Sequence, residues 1–417
     1  MKSDITPVVL GYDAVSPLGL DLEAQWEKAL QGRSGIGPLT RFPVDSSFPV
    51  HIAGEVEEIQ DNSLSFLKPR ALALWPSPIF KYALLVVHRA LERSHLHISP
   101  DIAHRVAVTF STAVGGQDAV LHADRRMQRE GKLPPPYSNP NSCINMVGGK
   151  ISMLTGATGP ITSSITACAT GVSSMITGAM LLAQGRADVA ICGAVDFALV
   201  EPIVAGFATM NGTFQAKSGE EQVSPECASR PFSHHRRGFV ISEGAGAIIL
   251  STREFANTHG LSPKLSVAGW GMTSDAYHYV APHLKTVSRC MQEAISDAGL
   301  TPWDVDAVNA HAASTKVGDR VEAQALEAVF EGNPPPVTAN KSQLGHAMGA
   351  SSALESILAM QGMLDACLPP TLNYQADPEL GLDCVTEGTR NLEQEFVLKN
   401  AFGFGGCNAC IVLQKIG

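Results

Sequence analysis

The chain has 417 residues, 45% hydrophobic and 17% charged, a balance that buries an extensive core and excludes a disordered polypeptide; the length holds two core-bearing units or one large fused one. A net charge of −10 excludes a general nucleic-acid binder but leaves room for a local basic patch. No run approaches the ~20 uninterrupted apolar residues of a membrane span, the N-terminus lacks the apolar core and cleavage site of a signal peptide, and nine scattered cysteines read as the reduced thiols of a cytoplasmic protein.

The elements predicted in chain order alternate short apolar strands with longer helices, the pattern of an α/β protein. Residues 8–11 read as a first strand and residues 79–94 as a helix. Continuous apolar runs at 106–110, 189–193 and 245–250 are of the kind found in sheets buried on both faces. Between them a β-prone run, 161–166, leads into Cys168, and a helix follows over 172–184 with Val172, Met175, Ile176, Ala179, Met180 and Ala183 on its apolar positions. Helix-period residues recur over 286–298 and 320–330, and a short strand is expected at 336–339. His346 then opens a small-residue helix over 347–354, as Cys168 does in the first half. This repeated plan implies a weak internal duplication with its boundary near 251–266, giving an N-terminal half, 1–255, and a C-terminal half, 256–417. Segments 131–141, 212–229 and 331–336 read as looser, the first two as mobile loops or partner interface.

A thiol on a strand-to-helix turn sits at the positive end of a helix dipole, where a thiolate is stabilised. Alone, a buried cysteine is more often apolar filler, and a lone histidine is more often structural. Cys168 together with His311 and His346, each in a glycine- and alanine-rich setting, reads as an acyl-transfer site. Gly171 is expected to let backbone approach a ligand closely. Cys407 and Cys410 form a lone CxxC-like pair with no second pair, and no HExxH pattern occurs, so no metal site is expected.

Four ordered motifs carry a more specific signal: Thr166-Ala167-Cys168-Ala169-Thr170-Gly171, Asn309-Ala310-His311, Asn340-Lys341-Ser342-Gln343-Leu344-Gly345-His346 and Asn400-Ala401-Phe402-Gly403-Phe404-Gly405-Gly406. Over nearly its whole length the chain resembles the β-ketoacyl-acyl carrier protein synthases, and is similar to the elongating type with a Cys-His-His site. The resemblance implies a thiolase fold of two related five-layered halves in a duplicated α/β/α/β/α architecture, usually a homodimer. It implies that Cys168 carries the acyl chain and that His311 and His346 serve malonyl decarboxylation. It also implies that the backbone N–H groups of Cys168 and Phe404 form an oxyanion hole, with Phe404 as a gate. Lys341 and Glu355 match a buried charged pair, structural or chemical. Glu322 and Asp319 are expected to be supporting residues, and Glu243 structural. Val114 and Phe207 are expected to line the acyl pocket, with Phe402, Gly403 and Thr315 among the substrate contacts. No bound cofactor is implied, since the substrates arrive on the phosphopantetheine arm of an acyl carrier protein.

The chain also departs from that pattern. Ala313 stands where Thr is usual, which leaves Thr315 alone to meet the arm; Ala401 and Cys407 replace Ser and Thr. The run Arg230 to Gly238 lacks its usual acidic residues, so its four potential cations, His234, His235, Arg236 and Arg237, are either a solvated loop or a docking patch. Arg125, Arg126, Arg129 and Lys132, with Lys68 and Arg70, are further candidates for docking an acidic carrier. The segment Leu74-Trp75-Pro76-Ser77-Pro78 is apolar where the family is commonly charged. These departures lean towards a specialised type II polyketide or polyene route over primary fatty-acid elongation. A non-catalytic chain-length factor, as partner or as identity, and a degradative thiolase are the alternatives. Retention of Cys168, His311 and His346 argues against the first identity, and the segment Lys341 to His346 against the second.

Overall fold

The two halves of the chain join at a short antiparallel seam, where Val8 and Val9 pair with Ser266 and Leu265. The computed structural model, which describes residues 6–215 and 223–417, carries a nine-stranded sheet through this seam. Its strands are β1 (Val8–Val15), β2 (Val106–Val108), β3 (Val189–Phe197), β4 (Glu243–Ser251), β5 (Leu265–Ser274), β6 (Ala307–Asn309), β7 (Val337–Thr338), β8 (Phe396–Gly403) and β9 (Cys407–Lys415). Their spatial order is β2-β3-β4-β1-β5-β9-β8-β6-β7.

Both halves repeat one set of strand directions. β2 runs parallel to β3, which is antiparallel to β4, which is antiparallel to β1. Likewise β6 runs parallel to β8, which is antiparallel to β9, which is antiparallel to β5. The edges correspond too: β7 lies parallel to β6, and Ile161 makes a single parallel bridge to Val108. The duplication is therefore one of sheet topology.

Three helical layers cover the sheet. Helices α1 (Pro78–Ser94), α2 (Gln117–Glu130), α3 (Thr170–Ala183), α4 (Glu201–Thr209), α5 (Leu284–Asp297), α6 (Lys316–Val329) and α7 (Met348–Asp365) frame the site. The middle layer is α3 with α7: Val172, Met175, Ala353 and Ile357 share a core with Ala190 and Cys192 of β3 and Ala409 and Ile411 of β9. Alternate residues of β3, Val189 and Ile191, face the other way onto Leu85 and Val86 of α1. Cys410 and Val412 of β9 similarly face Met291 of α5 and Leu326 of α6. Side chains on a strand alternate between faces, so strands covered on both sides read as unbroken apolar runs. The result is the five-layered α/β/α/β/α arrangement.

The small residues of the middle layer have a packing cause. A Cβ on Gly171 would strike the backbone nitrogen of Ala353, and the Val172 N–H donates to Ser352 Oγ at 3.2 Å. Gly171 thus permits α3 to approach α7, not the backbone to approach a ligand as its sequence position implied. The expected strand over 161–166 is only the bridge at Ile161; a 3-10 turn, Ala167–Ala169, leads into α3. Segment 131–141 runs into a short helix, Ser138–Ser142, and part of 212–229 lies outside the described residues. Among the described residues no helix is long and apolar enough to cross a membrane.

Candidate active site

Ala167 adopts φ 48°, a left-handed conformation that non-glycine residues rarely hold and that recurs at functional sites. It turns the chain from the sheet edge and sets Cys168 at the entrance to α3, buried, with Sγ 3.1 Å from His346 Nε2. The turn between β8 and β9 closes one side. Gly403 lies so close to the Thr166 carbonyl that a Cβ would collide with it, and Gly405 and Gly406 take φ 82° and 73°, conformations glycine supplies without steric cost. The Gly405 N–H donates to the Tyr279 carbonyl at 2.8 Å. The half-buried Phe404 ring faces Phe207 at 6.4 Å between centroids.

Burial dominates the cysteine's acidity, pushing the thiol up to about 11. Lys341 and the backbone N–H groups of Phe404 and Cys168 favour its anion, while Asp196 opposes it. The thiolate expected from the helix dipole is therefore not the resting form: removal from water outweighs the terminal N–H groups. The same two N–H groups point at the Cys168 sulfur.

His346 is held by its backbone on both sides, its N–H donating to the Val240 carbonyl at 2.7 Å and its carbonyl accepting from the Ser242 N–H at 2.9 Å. Its ring meets Phe239 edge-on at 5.3 Å and His311 at 5.8 Å. His311 follows β6 and packs against Phe402 at 5.7 Å. Its N–H and that of Ala312 donate to the two oxygens of Glu322 at 2.8 and 2.7 Å, and its carbonyl accepts from Lys341 Nζ at 2.5 Å. Glu322, which also accepts from Asn400 Nδ2 at 3.0 Å, thus fixes the loop that presents His311. Burial, reinforced by Lys341 and Lys399, holds both imidazoles well below their ordinary 6.5. Both rings are neutral near pH 7.

Lys341 and Glu355 pair at 2.6 Å, as read from sequence, and Lys399 pairs with the other Glu355 oxygen, also at 2.6 Å. One carboxylate therefore bridges two buried lysines, both of which act against protonation of the histidines. The sequence reading missed Lys399; its signal is a lysine inside a strand buried on both faces, which requires a counter-ion. Asp196 was missed as well. It accepts from Thr112 Oγ1 at 2.7 Å, the Val114 N–H at 2.9 Å and the Gly349 N–H at 2.8 Å, tying the Val114 turn to the start of α7.

Val114, Phe207, Phe239, Ala313 and Met348 fall in one apolar cluster, so the two expected pocket residues are neighbours of the site. Thr315 caps α6, its hydroxyl accepting from the Gly318 N–H at 3.2 Å. Asp319 accepts from the Phe232 and Thr315 N–H groups at 2.8 and 3.0 Å, and burial raises its carboxyl to about 6. Glu243 pairs with Arg41 at 2.6 Å, a structural bridge.

The cationic run is neither of the uniform alternatives read from sequence. Arg236 is 2% exposed, paired with Asp377 at 2.6 Å and donating to the carbonyls of Ser233, Thr315 and Lys316. His234 and His235 are exposed, and Arg237 lies 5.0 Å from the Phe214 ring centre. Arg125 pairs with Glu201 at 3.3 Å and Lys132 with Glu130 at 3.1 Å, all exposed; Arg129, Lys68 and Arg70 are also exposed. Trp75 meets Phe80 at 4.9 Å and lies under Lys150 Nζ at 4.3 Å. Among the described residues no cluster of His, Cys, Asp or Glu has the makings of a metal site.

Comparison with known proteins gives the family. Residues 6–256 match the β-ketoacyl synthase N-terminal domain and residues 265–375 the C-terminal domain. The chain is 32% identical to a 3-oxoacyl-[acyl-carrier-protein] synthase 2 of Staphylococcus aureus, over 100% of this chain and 99% of the relative. It is 33% identical to the protein of the same name from Coxiella burnetii, over 98% of each. Among solved structures it resembles a β-ketoacyl synthase from Burkholderia phymatum (TM-score 0.91, 26% identity, 99% of this chain and 100% of that one). The ishigamide ketosynthase/chain length factor gives a TM-score of 0.89 at 28% identity, again over 99% and 100%. A third match, with TM-score 0.89, 25% identity and the same coverage, is a type II PKS acyl-carrier protein in complex with its ketosynthase bound to the hexaketide. The chain belongs to the β-ketoacyl synthase family, condensing acyltransferases of the thiolase fold.

Proposed function

We propose that the chain is a 3-oxoacyl-[acyl carrier protein] synthase in which Cys168, His311 and His346 carry a decarboxylative Claisen condensation. The observation that carries this reading is the buried 3.1 Å contact between Cys168 Sγ and His346 Nε2 beside a second neutral imidazole. In the first half-reaction the Cys168 proton passes to His346 Nε2 while sulfur attacks the primer thioester. The carrier's C–S bond breaks, the leaving thiolate takes that proton, and Cys168 holds the acyl group. In the second, malonyl carrier loses carbon dioxide, and Nε2–H groups of His311 and His346 meet the charge developing on the thioester oxygen. The enolate carbon attacks the acyl carbonyl, whose oxygen is received by the Cys168 and Phe404 N–H groups. Collapse expels the Cys168 thiolate, which is reprotonated, and releases a product two carbons longer. Burial, with Lys341 and Lys399, keeps the imidazoles neutral, Glu355 pairs the two lysines, Glu322 and Asp319 hold their loops, and the acyl chain runs along Val114 and Phe207. Phe402 and Gly403 flank the reacting atoms, and Thr315 lies on the path of the arm.

The partner is an acyl carrier protein docking on exposed cations such as Arg129 and Lys132. A second chain, identical or a chain-length-factor paralogue, covers Ile161 and Ile165, each 45% exposed, at the sheet edge where Ile161 bridges to Val108. We place the division of the halves at 255/256, inside the short helix Arg253–Thr258 that connects β4 to β5, and nine free cysteines suit a reducing cytoplasm. The lean towards a specialised polyketide or polyene route rests on Ala313, Ala401, Cys407 and the Trp75 segment. Incubation with malonyl carrier and a panel of acyl primers, read by product mass, tests the activity. A 3-oxoacyl carrier two carbons longer than one of the primers is expected; decarboxylation without any extended product would overturn the reading.

A further inference from the structure

His346 has two ring nitrogens with two different duties. Nε2 faces Cys168. Nδ1 lies 3.0 Å from the Ser351 hydroxyl, a side chain 2% exposed in the first turn of α7. Because the imidazole is buried and Lys341 and Lys399 disfavour its cation, the ring carries one proton, and the partner of Nδ1 decides which nitrogen holds it. A backbone N–H in that place would only donate, whereas a hydroxyl both donates and accepts. His311 has no such partner: its Nδ1 is buried and unpaired among the described residues.

The two half-reactions ask opposite things of Nε2. Acylation needs its lone pair, to take the Cys168 proton; decarboxylation needs its N–H, to meet the thioester oxygen. We propose that Ser351 is a positioning residue that supports both tautomers of His346, accepting from Nδ1–H during acylation and donating to Nδ1 during decarboxylation. This rests on the condensing reading given above. The change between the two states moves no net charge: one proton leaves Nδ1 and one arrives at Nε2, exchanged with water in the interval between the two carriers. The hydroxyl rotates, while the His346 backbone is held by Val240 and Ser242 and its ring stays packed against Phe239 and His311.

The test compares wild type with Ser351→Ala and Ser351→Thr in the full chain. Acylation is followed by intact mass, decarboxylation by carbon dioxide release, and folding by thermal melting. In Ser351→Ala both turnover numbers are expected to fall roughly tenfold to hundredfold, with unchanged KM for malonyl carrier and unchanged melting temperature, and Ser351→Thr to restore them. Rates within twofold of wild type, or a loss that follows KM or melting temperature, would overturn the proposal. Nitrogen-15 spectra of His346 give a readout independent of turnover. The Nδ1 resonance is expected to move between wild type and Ser351→Ala, and an unmoved resonance contradicts the role of Ser351 even if the condensing reading itself fails.

Discussion

Cys168 Sγ lies 3.1 Å from His346 Nε2, and this contact brings a thiol that burial pushes up to about 11 against an imidazole that burial keeps neutral. Neither group is ionised at rest. Under the condensing reading proposed above, activation is a proton transfer made during attack, not the standing thiolate that a helix terminus supplies elsewhere.

That relationship fixes the pH dependence of cysteine reactivity. Alkylation of Cys168 by iodoacetamide, followed by intact mass, is expected to keep rising between pH 8 and about 11, because the raised acidity constant leaves the thiol protonated until then. His346→Ala is expected to slow alkylation at pH 7 by removing the acceptor. A plateau already reached at pH 7 would contradict the buried-thiol state.

Lys399 is expected to shape the acid limb of decarboxylation. Both imidazoles lie well below 6.5, with Lys399 among the causes, and protonation makes them unfit for the neutral role. The wild-type rate is thus expected to hold below pH 6.5. Lys399→Met removes one cation, lets both constants rise towards 6.5 and moves the acid limb to higher pH. It also leaves one oxygen of the buried Glu355 without its ammonium partner, at a cost of about 3–5 kcal/mol in denaturant unfolding. An unmoved acid limb in a folded variant counts against the electrostatic role.

Gly403 separates a steric requirement from a chemical one. A Cβ there collides with the Thr166 carbonyl, so Gly403→Ala displaces the Phe404 N–H from Cys168. Loss of one such donor costs on the order of a hundredfold in turnover. Steady-state condensation is expected to fall by about that factor while the melting temperature changes little; an unaffected turnover removes Phe404 from the oxyanion hole.

Ala313 tests the departure from the family pattern. It lies 8% exposed, and the Thr315 hydroxyl nearby is engaged in capping α6. Ala313→Thr adds a hydroxyl on the path assigned to the phosphopantetheine arm and is expected to lower KM for the carrier substrate. An unchanged KM refutes that contact.

How much of this site was legible depended on whether a residue's meaning lay in its own neighbourhood. Cys168, His311, His346 and Phe404 sit in short motifs, and the apolar runs around β2, β3 and β4 announced strands buried on both faces. Asp196 and Ser351 carry no local signature, and Lys399, a lysine inside a buried strand, signals a counter-ion without naming it. Asp196 acts on Gly349, 153 positions away, and Lys399 on Glu355, 44 away, so only folding gives them partners. The helix-dipole argument at Cys168 failed for a related reason: sequence gives the terminus but not the depth of burial opposing it. Gly171 was misread because the surface it approaches, the start of α7, is supplied by the other half of the duplication.

The central claim, that Cys168 carries the acyl chain, is tested most directly by intact-mass spectrometry of wild type and Cys168→Ala incubated with acyl carrier. The wild type is expected to gain one acyl group, located on the Cys168 peptide, and the variant to gain none while still releasing carbon dioxide from malonyl carrier. An acylated Cys168→Ala chain would contradict the account.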